Sequence, residues 1–261
     1  MNRGIRPVKS LSIKGLYPYA LAEGEGVGTA YEYYVKRLVL NRWLNGRKRS
    51  IKRVVVAGMP EKYGSSLDFW LLAEQLGASL TIFEDRKDAI DKAMQAREDA
   101  CRAGLLSNWQ PEYKLIASMD QIGGEYDLGL ASEVLQRLEP TQQQKYVRRL
   151  GTACTAFVLF APNGDNMAHT THSGLSGITL NRMDALLAEA AGSSASGYID
   201  MPPFPPGITR SEEQRTQASS GVAEAVAMRG LGVYARLERL FPMRIRRSQS
   251  HIVYGIAHRQ G

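Results

Sequence analysis

The apolar positions of this chain change period again and again along its length. Val54-Val55-Val56-Ala57-Gly58 is a continuous apolar run closed by glycine, the pattern of a strand buried on both faces. Behind it Leu67, Trp70, Leu71 and Leu76 recur at helical spacing, with Ser65 or Ser66 placed to cap the helix and Gly77 to stop it. Leu80-Thr81-Ile82-Phe83 predicts a second strand that closes on Glu84 and Asp85. The next helix spans 87–103, carries Ile90, Met94, Arg97 and Cys101 on one side and ends at Gly104. Strands are expected over 113–118 and 126–132. At about 3.4 Å per residue the linker between them barely crosses a sheet, so it must be nearly extended, leave no room for a full helix and turn at Gly123-Gly124. A helix over 141–150, a strand over 155–161, a helix over 180–191 and a strand over 197–201 continue the alternation, which predicts a parallel sheet covered on both faces.

The rhythm breaks at Pro202-Pro203-Phe204-Pro205-Pro206-Gly207, a stiff loop, because proline neither donates to a ladder nor continues a helix. Ser211 with Gln214 predicts a capping box. It opens a helical region to about 240 that is broken at Gly230 and Gly232. Ile252, Tyr254 and Ile256 alternate with Val253 and Gly255 in a last strand over 250–258, and a helix bearing Tyr34, Leu38 and Trp43 precedes the sheet. The organisation expected is one domain over 1–261: an N-terminal extension 1–50, a core 51–201 and 241–261, and an insertion 202–240.

At 261 residues, 44% hydrophobic and 23% charged, the composition is that of a globular protein. No apolar run reaches the roughly 18 residues of a membrane span. Arg3, Arg6, Lys9 and Lys14 have no apolar stretch behind them, so the chain is read as cytoplasmic. Cys101 and Cys154 form no CxxC pair and sit in apolar patterns, which predicts buried free thiols. The net charge of +7 leaves anionic partners open. Its clusters, Arg42 to Arg53 and Arg236 to Arg247, come without an aromatic-interleaved RNA motif, so nucleic acid is not favoured and the charges read as solvated element ends.

In sheets of this kind ligands bind beyond the carboxyl ends of the strands. Read there, the run ending at Gly58, the passage Thr81-Ile82-Phe83-Glu84-Asp85-Arg86, Met119-Asp120, Tyr126-Asp127-Leu128-Gly129-Leu130-Ala131-Ser132-Glu133 and Ala161-Pro162-Asn163-Gly164-Asp165-Asn166 together resemble the class I S-adenosylmethionine-dependent methyltransferases, over about residues 35–200. The resemblance implies an α/β fold: a Rossmann-like doubly wound sheet, mostly parallel with an antiparallel last strand. It implies S-adenosylmethionine as cofactor and direct methyl transfer to a small-molecule acceptor. Gly58 is then set against the cofactor's amino acid end, Met119 and Asp120 at the adenine edge, and Ser132 and Glu133 beneath the methyl group. Glu84 is placed to accept both ribose hydroxyls on its two carboxylate oxygens; the alternative is that Glu84 and Asp85 serve only the next helix's N-terminal dipole. The loop departs from the family after Gly58, reading Met59-Pro60-Glu61-Lys62-Tyr63 before Gly64. The same departure breaks a GxGxxG fingerprint, and no P-loop GK[ST] is present. An NAD(P)-dependent oxidoreductase and a non-catalytic cofactor-binding protein are the alternatives.

Three segments remain. Gly26 and Gly28, in a GxGxG run, permit close backbone approach to a cofactor, and Tyr31, Tyr33 or Tyr34 behind them could face cofactor or substrate, Tyr34 being the catalytic candidate; a hinge and helix cap would need no ligand. His169 and His172 follow Asp165. They are candidates for a general base on the acceptor, or members of a polar loop, and no metal is expected because no third cluster of ligands accompanies them. The insertion 202–240 is expected to lie over the methyl end and select an anionic acceptor through Arg210, Arg215 and Arg229, with Phe204 packing on it. The alternative there is a homodimer interface.

Overall fold

The computed structural model describes residues 11–44, 50–61, 66–174, 176–190, 192–203 and 222–259. Seven strands, β1 (Arg53–Ala57), β2 (Ser79–Glu84), β3 (Glu112–Leu115), β4 (Tyr126–Ser132), β5 (Cys154–Pro162), β6 (Ser193–Ile199) and β7 (Ile252–His258), form one sheet in the order β3-β2-β1-β4-β5-β7-β6. The first five strands pair in parallel, and β7 runs antiparallel to both β5 and β6. The crossing from β3 to β4 holds no full helix, as its length requires. It is not uniformly extended either: Met119–Gln121 takes one tight turn, and Gly124 adopts φ +97° where the chain enters β4.

The helices are α1 (Ile13–Ala22), α2 (Val27–Trp43), α3 (Leu67–Leu76), α4 (Lys87–Arg102), α5 (Pro140–Ala153), α6 (Met167–Ser173), α7 (Leu180–Ala188), α8 (Val222–Leu237) and α9 (Met243–Gln249). The strand period of two sends alternate residues of β1 into separate layers. Val54 and Val56 pack with α1, α2, α3 and α4, whereas Val55 and Ala57 pack with α5 and α7. Both cysteines are free thiols, and burial pushes that of Cys154 up to about 12.

Several boundaries differ from the sequence expectation, each for a physical reason. β6 begins four residues early, because Ser193-Ser194-Ala195 is an exposed edge with no apolar pattern to read, yet it pairs with β7. On α4, Met94 points to solvent and the small Ala93, Ala96 and Ala100 face the core. α8 passes unbroken through Gly230 and Gly232, and a Cβ at Gly232 would stand in ordinary contact with Tyr34, 3.9 Å from its hydroxyl. The region expected to be a polar loop at 167–173 is helical, capped by Asn166 Oδ1, which accepts from His169 N at 3.1 Å. The expected capping box at Ser211 and Gln214 lies outside the described residues. Among the described residues, no helix is long and apolar enough to cross a membrane.

α7 seats on β7 at Gly255, where a Cβ would stand 2.7 Å from Leu187 Cδ1 and 2.8 Å from Met183 Sδ. Gly255→Val is therefore expected to overpack this contact and lose about 1–3 kcal/mol in chemical denaturation. Unchanged stability would mean that α7 does not press on β7 as described.

Candidate functional site

The carboxyl ends of β1, β2 and β4 meet around Gly58 and Glu84. Gly58 donates to Phe83 O at 2.8 Å and adopts φ +95°, in the left-handed region that a side chain strains. A Cβ there would lie 2.7 Å from Val134 Cγ2 and 3.0 Å from Met119 Cε, so the fold brings three of the expected cofactor segments together at one glycine.

Glu84 stands where the sequence placed it, but its carboxylate is fully buried. Oε2 accepts from Met59 N at 2.6 Å and Arg86 Nη2 at 3.2 Å. Oε1 accepts from Asp85 N and Arg86 N, both at 3.1 Å, from Arg86 Nε at 2.8 Å and from Arg137 Nη2 at 3.2 Å. Arg86 Nη2 also donates to Met59 O and Pro60 O, at 3.0 and 3.2 Å, fixing the loop after β1. Arg137 Nη1 pairs with Asp85 Oδ1 at 2.8 Å. Burial opposes the Asp85 charge, yet its hydrogen bonds and Arg137 outweigh that and hold its carboxyl below the usual range. Beside this knot a cavity of about 150 Å³ is lined by Ser118, Met119, Asp120, Leu138, Gln142 and Lys145. Met119 is buried and Asp120 exposed, both in the turn that follows β3.

α2 lies across the ends of β1 and β4. Its buried Lys36 donates to Ser132 Oγ at 2.8 Å, pairs with Glu32, and sits 5.5 Å from the Phe160 ring centre and 5.9 Å from that of Phe69. Burial works against the ammonium, but Glu32, Asp68 and Glu133 together raise its pKa. Glu133 adopts φ +56° and donates through its backbone to Phe160 O at 2.9 Å. Burial and the neighbouring Glu32 push its carboxyl up, against the pull of Lys36. Several buried atoms in this cluster make no hydrogen bond among the described residues: Glu133 Oε2, both Asp68 carboxylate oxygens, and Arg37 Nε and Nη1. Gly26 caps α2 and Gly28 lies in its first turn, each with nothing within 4 Å of where a Cβ would stand.

The acceptor-side candidates separate. Tyr34 faces α8, with its ring 5.6 Å from the Arg236 guanidinium, and does not join Ser132 and Glu133. Tyrosines at i, i+2 and i+3 of a helix point in different directions, and Tyr34 falls on the face toward α8. His169 stacks on His251, ring centres 4.1 Å apart and nearly parallel. The side chain of His172, and Phe204, Arg210 and Arg215, lie outside the described residues; Arg229 is exposed on α8.

His251, which no sequence pattern singled out, lies beyond the ends of β5 and β6. Its Nδ1 is 3.2 Å from Asp200 Oδ2, and its backbone N–H donates to Asp200 O at 2.7 Å. Asp200 adopts φ +66°, a strained conformation for a side-chain-bearing residue. Glu238, on the turn after α8, accepts from Asp200 N at 3.2 Å, Met201 N at 3.1 Å and the Tyr31 hydroxyl at 2.8 Å, and burial pushes its carboxyl up to about 7. Burial opposes a charge on His251, but Asp200, and behind it Glu32 and Glu238, raise its pKa. The only sequence signal for this group was an acid ending a strand and a histidine opening the last one.

No protein-family model and no curated protein matches the sequence. Solved structures do match. The methyltransferase domain of the bacterial protein CtHen1-C superposes with a TM-score of 0.50 at 12% identity, covering 88% of this chain and 100% of that one. Magnesium protoporphyrin IX methyltransferase from Synechocystis PCC 6803, solved with bound SAM, gives a TM-score of 0.48 at 14% identity over 88% of this chain and 79% of that one. At such identities the likeness concerns architecture: this chain has the Rossmann-like fold of the S-adenosylmethionine-dependent methyltransferases.

Proposed function

We propose that the chain is an S-adenosylmethionine-dependent methyltransferase that transfers the methyl group directly to a small, anionic acceptor. The observation that carries this reading is the antiparallel β7 lying between β5 and β6. A dinucleotide-binding sheet runs 3-2-1-4-5-6 and needs GxGxxG after its first strand; this chain has neither.

The residues fit the cofactor at its two ends. Met119 and Asp120, lining the cavity, suit the adenine side. The orphaned Glu133 and Asp68 oxygens and Arg37 nitrogens, near the open glycines Gly26 and Gly28, suit an ammonium and a carboxylate. At the ribose the fit changes partner. The oxygens of Glu84 are already claimed, so we assign Glu84 to holding the loop and the ribose hydroxyls to Asp85, whose side chain is 20% exposed. When bound, the sulfonium supplies an electrophilic methyl group. The protein aligns the acceptor with it and excludes water, and His251, held through Nδ1 by Asp200, takes the acceptor's proton at Nε2. Methyl transfer thus rests on positioning more than on a strong base.

A second reading, a cofactor-fold protein without turnover, draws support from one observation, the closure of Glu84 by Arg86 and Arg137. Product formation from labelled S-adenosylmethionine separates the two.

Calorimetry is expected to show saturable binding of S-adenosylhomocysteine and none of comparable affinity for NAD(P). NAD(P) binding with no response to S-adenosylhomocysteine would overturn the proposal.

Glu84→Ala leaves the Met59 N–H and two partly exposed guanidinium groups without their carboxylate, so it is expected to cost about 1–3 kcal/mol in chemical denaturation. Asp85→Ala is expected to weaken S-adenosylhomocysteine binding by about 1–3 kcal/mol, with a smaller loss of stability. The opposite ranking returns the ribose to Glu84.

Because the folded-state pKa of His251 is raised, its charged pair with Asp200 stabilises the fold fully below its unfolded value of about 6.5, and that contribution is lost as pH rises through the folded value. A base must be neutral, so turnover is expected to rise with pH through the same folded value. Asp200→Asn should move both the NMR titration of His251 and the rise in turnover to lower pH. A turnover profile that stays put while the His251 titration moves would place the base elsewhere.

A further inference from the structure

We infer that α8, the turn after it and α9 form a surface that docks on an anionic lipid bilayer. The exposed large apolar side chains of the described residues are concentrated here: Val226, Val233, Leu237, Leu240, Phe241, Met243 and Ile245, against Met94, Leu115 and Met167 elsewhere. On α8 they are not scattered. Val226, Val233 and Leu237, continued by Leu240, recur every three, four or seven residues and form one stripe. The opposite face, Met228, Ala235 and Glu238, is buried against the body of the protein. Leu240 is 71% exposed and Met243 53%, too much for side chains with an interior role. α9 carries no buried residue at all.

The charge on this surface selects the partner. Positions 226–249 hold six arginines, Arg229, Arg236, Arg239, Arg244, Arg246 and Arg247, and one acid, Glu238. Glu238 is turned inward to Tyr31 and the backbone of Asp200 and Met201, and Arg236 lies over the Tyr34 ring, so positions 226–249 present exposed apolar side chains with the exposed cations Arg229, Arg239 and Arg244 among them. Arg246 to Tyr198 O and Arg247 to Asp165, at 2.7 Å, tie α9 to β6 and to the loop after β5. The surface is thereby fixed to the sheet ends beside His251. A second copy docked about a two-fold axis would set the same arginines against each other. A bilayer with acidic headgroups accepts both features: the aliphatic side chains enter the headgroup boundary, and the guanidinium groups reach its phosphates from stems that lie along the apolar surface.

The test uses the full chain in sedimentation with vesicles of phosphatidylcholine alone and of an equimolar mixture with phosphatidylglycerol. Binding is expected to the mixed vesicles, to be at least about tenfold weaker on phosphatidylcholine alone and to fall with added salt. Leu240→Glu with Ile245→Glu, and separately Arg239→Glu with Arg244→Glu, are expected to weaken it at least about tenfold. Hydrogen exchange at 237–249 is expected to slow only when mixed vesicles are added. Vesicle binding that neither pair weakens overturns the proposal, as does slow exchange at 237–249 without vesicles. So does a dimer in gel filtration that Leu240→Glu dissolves, in a chain that binds no vesicles. S-adenosylhomocysteine calorimetry without vesicles, expected unchanged in both pairs, keeps this result separate from the cofactor reading.

Discussion

A carboxylate with no exposed surface holds the open end of this sheet together. Burying a charge costs several kcal/mol unless good partners replace its water, and Glu84 is given six donors: three backbone N–H groups, two from Arg86 and one from Arg137. They come from three pieces of the cleft. Met59 is the loop after β1, Arg86 precedes α4, and Arg137 lies in the turn after β4. The loop after β1 lacks the later glycines of a phosphate- or cofactor-wrapping turn, and Pro60 limits its backbone further. Its first residues, Met59 and Pro60, are held instead by Glu84 at the end of β2 and by Arg86 before α4. Val134 and Met119 close on Gly58 immediately before this anchored stretch.

The same arrangement explains what was legible in advance. β1 and β4 were readable nearly to the residue, because strands buried on both faces show as unbroken apolar runs, whereas the serine-rich start of β6 carried no such mark. The position of Glu84 at a strand end was readable too. Its partners were not: Arg137 lies 53 residues away and Met59 lies 25, and periodicity within an element says nothing about which elements meet. His251 and Asp200 were missed for that reason, being brought together by the pairing of β6 with β7 across the whole insertion. The orientation of Tyr34 was illegible for a different reason. Local spacing put three tyrosines on α2, but which of them faces the sheet ends depends on the rotation of α2 against α8, which is set by tertiary packing.

The N-terminal extension packs against the candidate site. α2 contacts each side of the cleft with a different residue: Lys36 reaches Ser132, Tyr31 reaches Glu238, and Tyr34 takes the α8 face. Chain that precedes the sheet therefore closes over strand ends that the sheet alone would leave open to water. On the proposed reading water exclusion matters here, since positioning is most of what direct methyl transfer asks of a protein, and electrostatic contacts strengthen as solvent leaves.

Glu32 couples the two halves. Its charge favours the ammonium of Lys36, disfavours ionisation of Glu133 and favours the charged form of His251. Any positive charge that settles among Glu32, Asp68 and Glu133 offsets part of that field. By the same Coulomb relation it makes Glu133 easier to ionise and His251 easier to leave neutral. The coupling needs no movement of the backbone, only the shared carboxylate on α2.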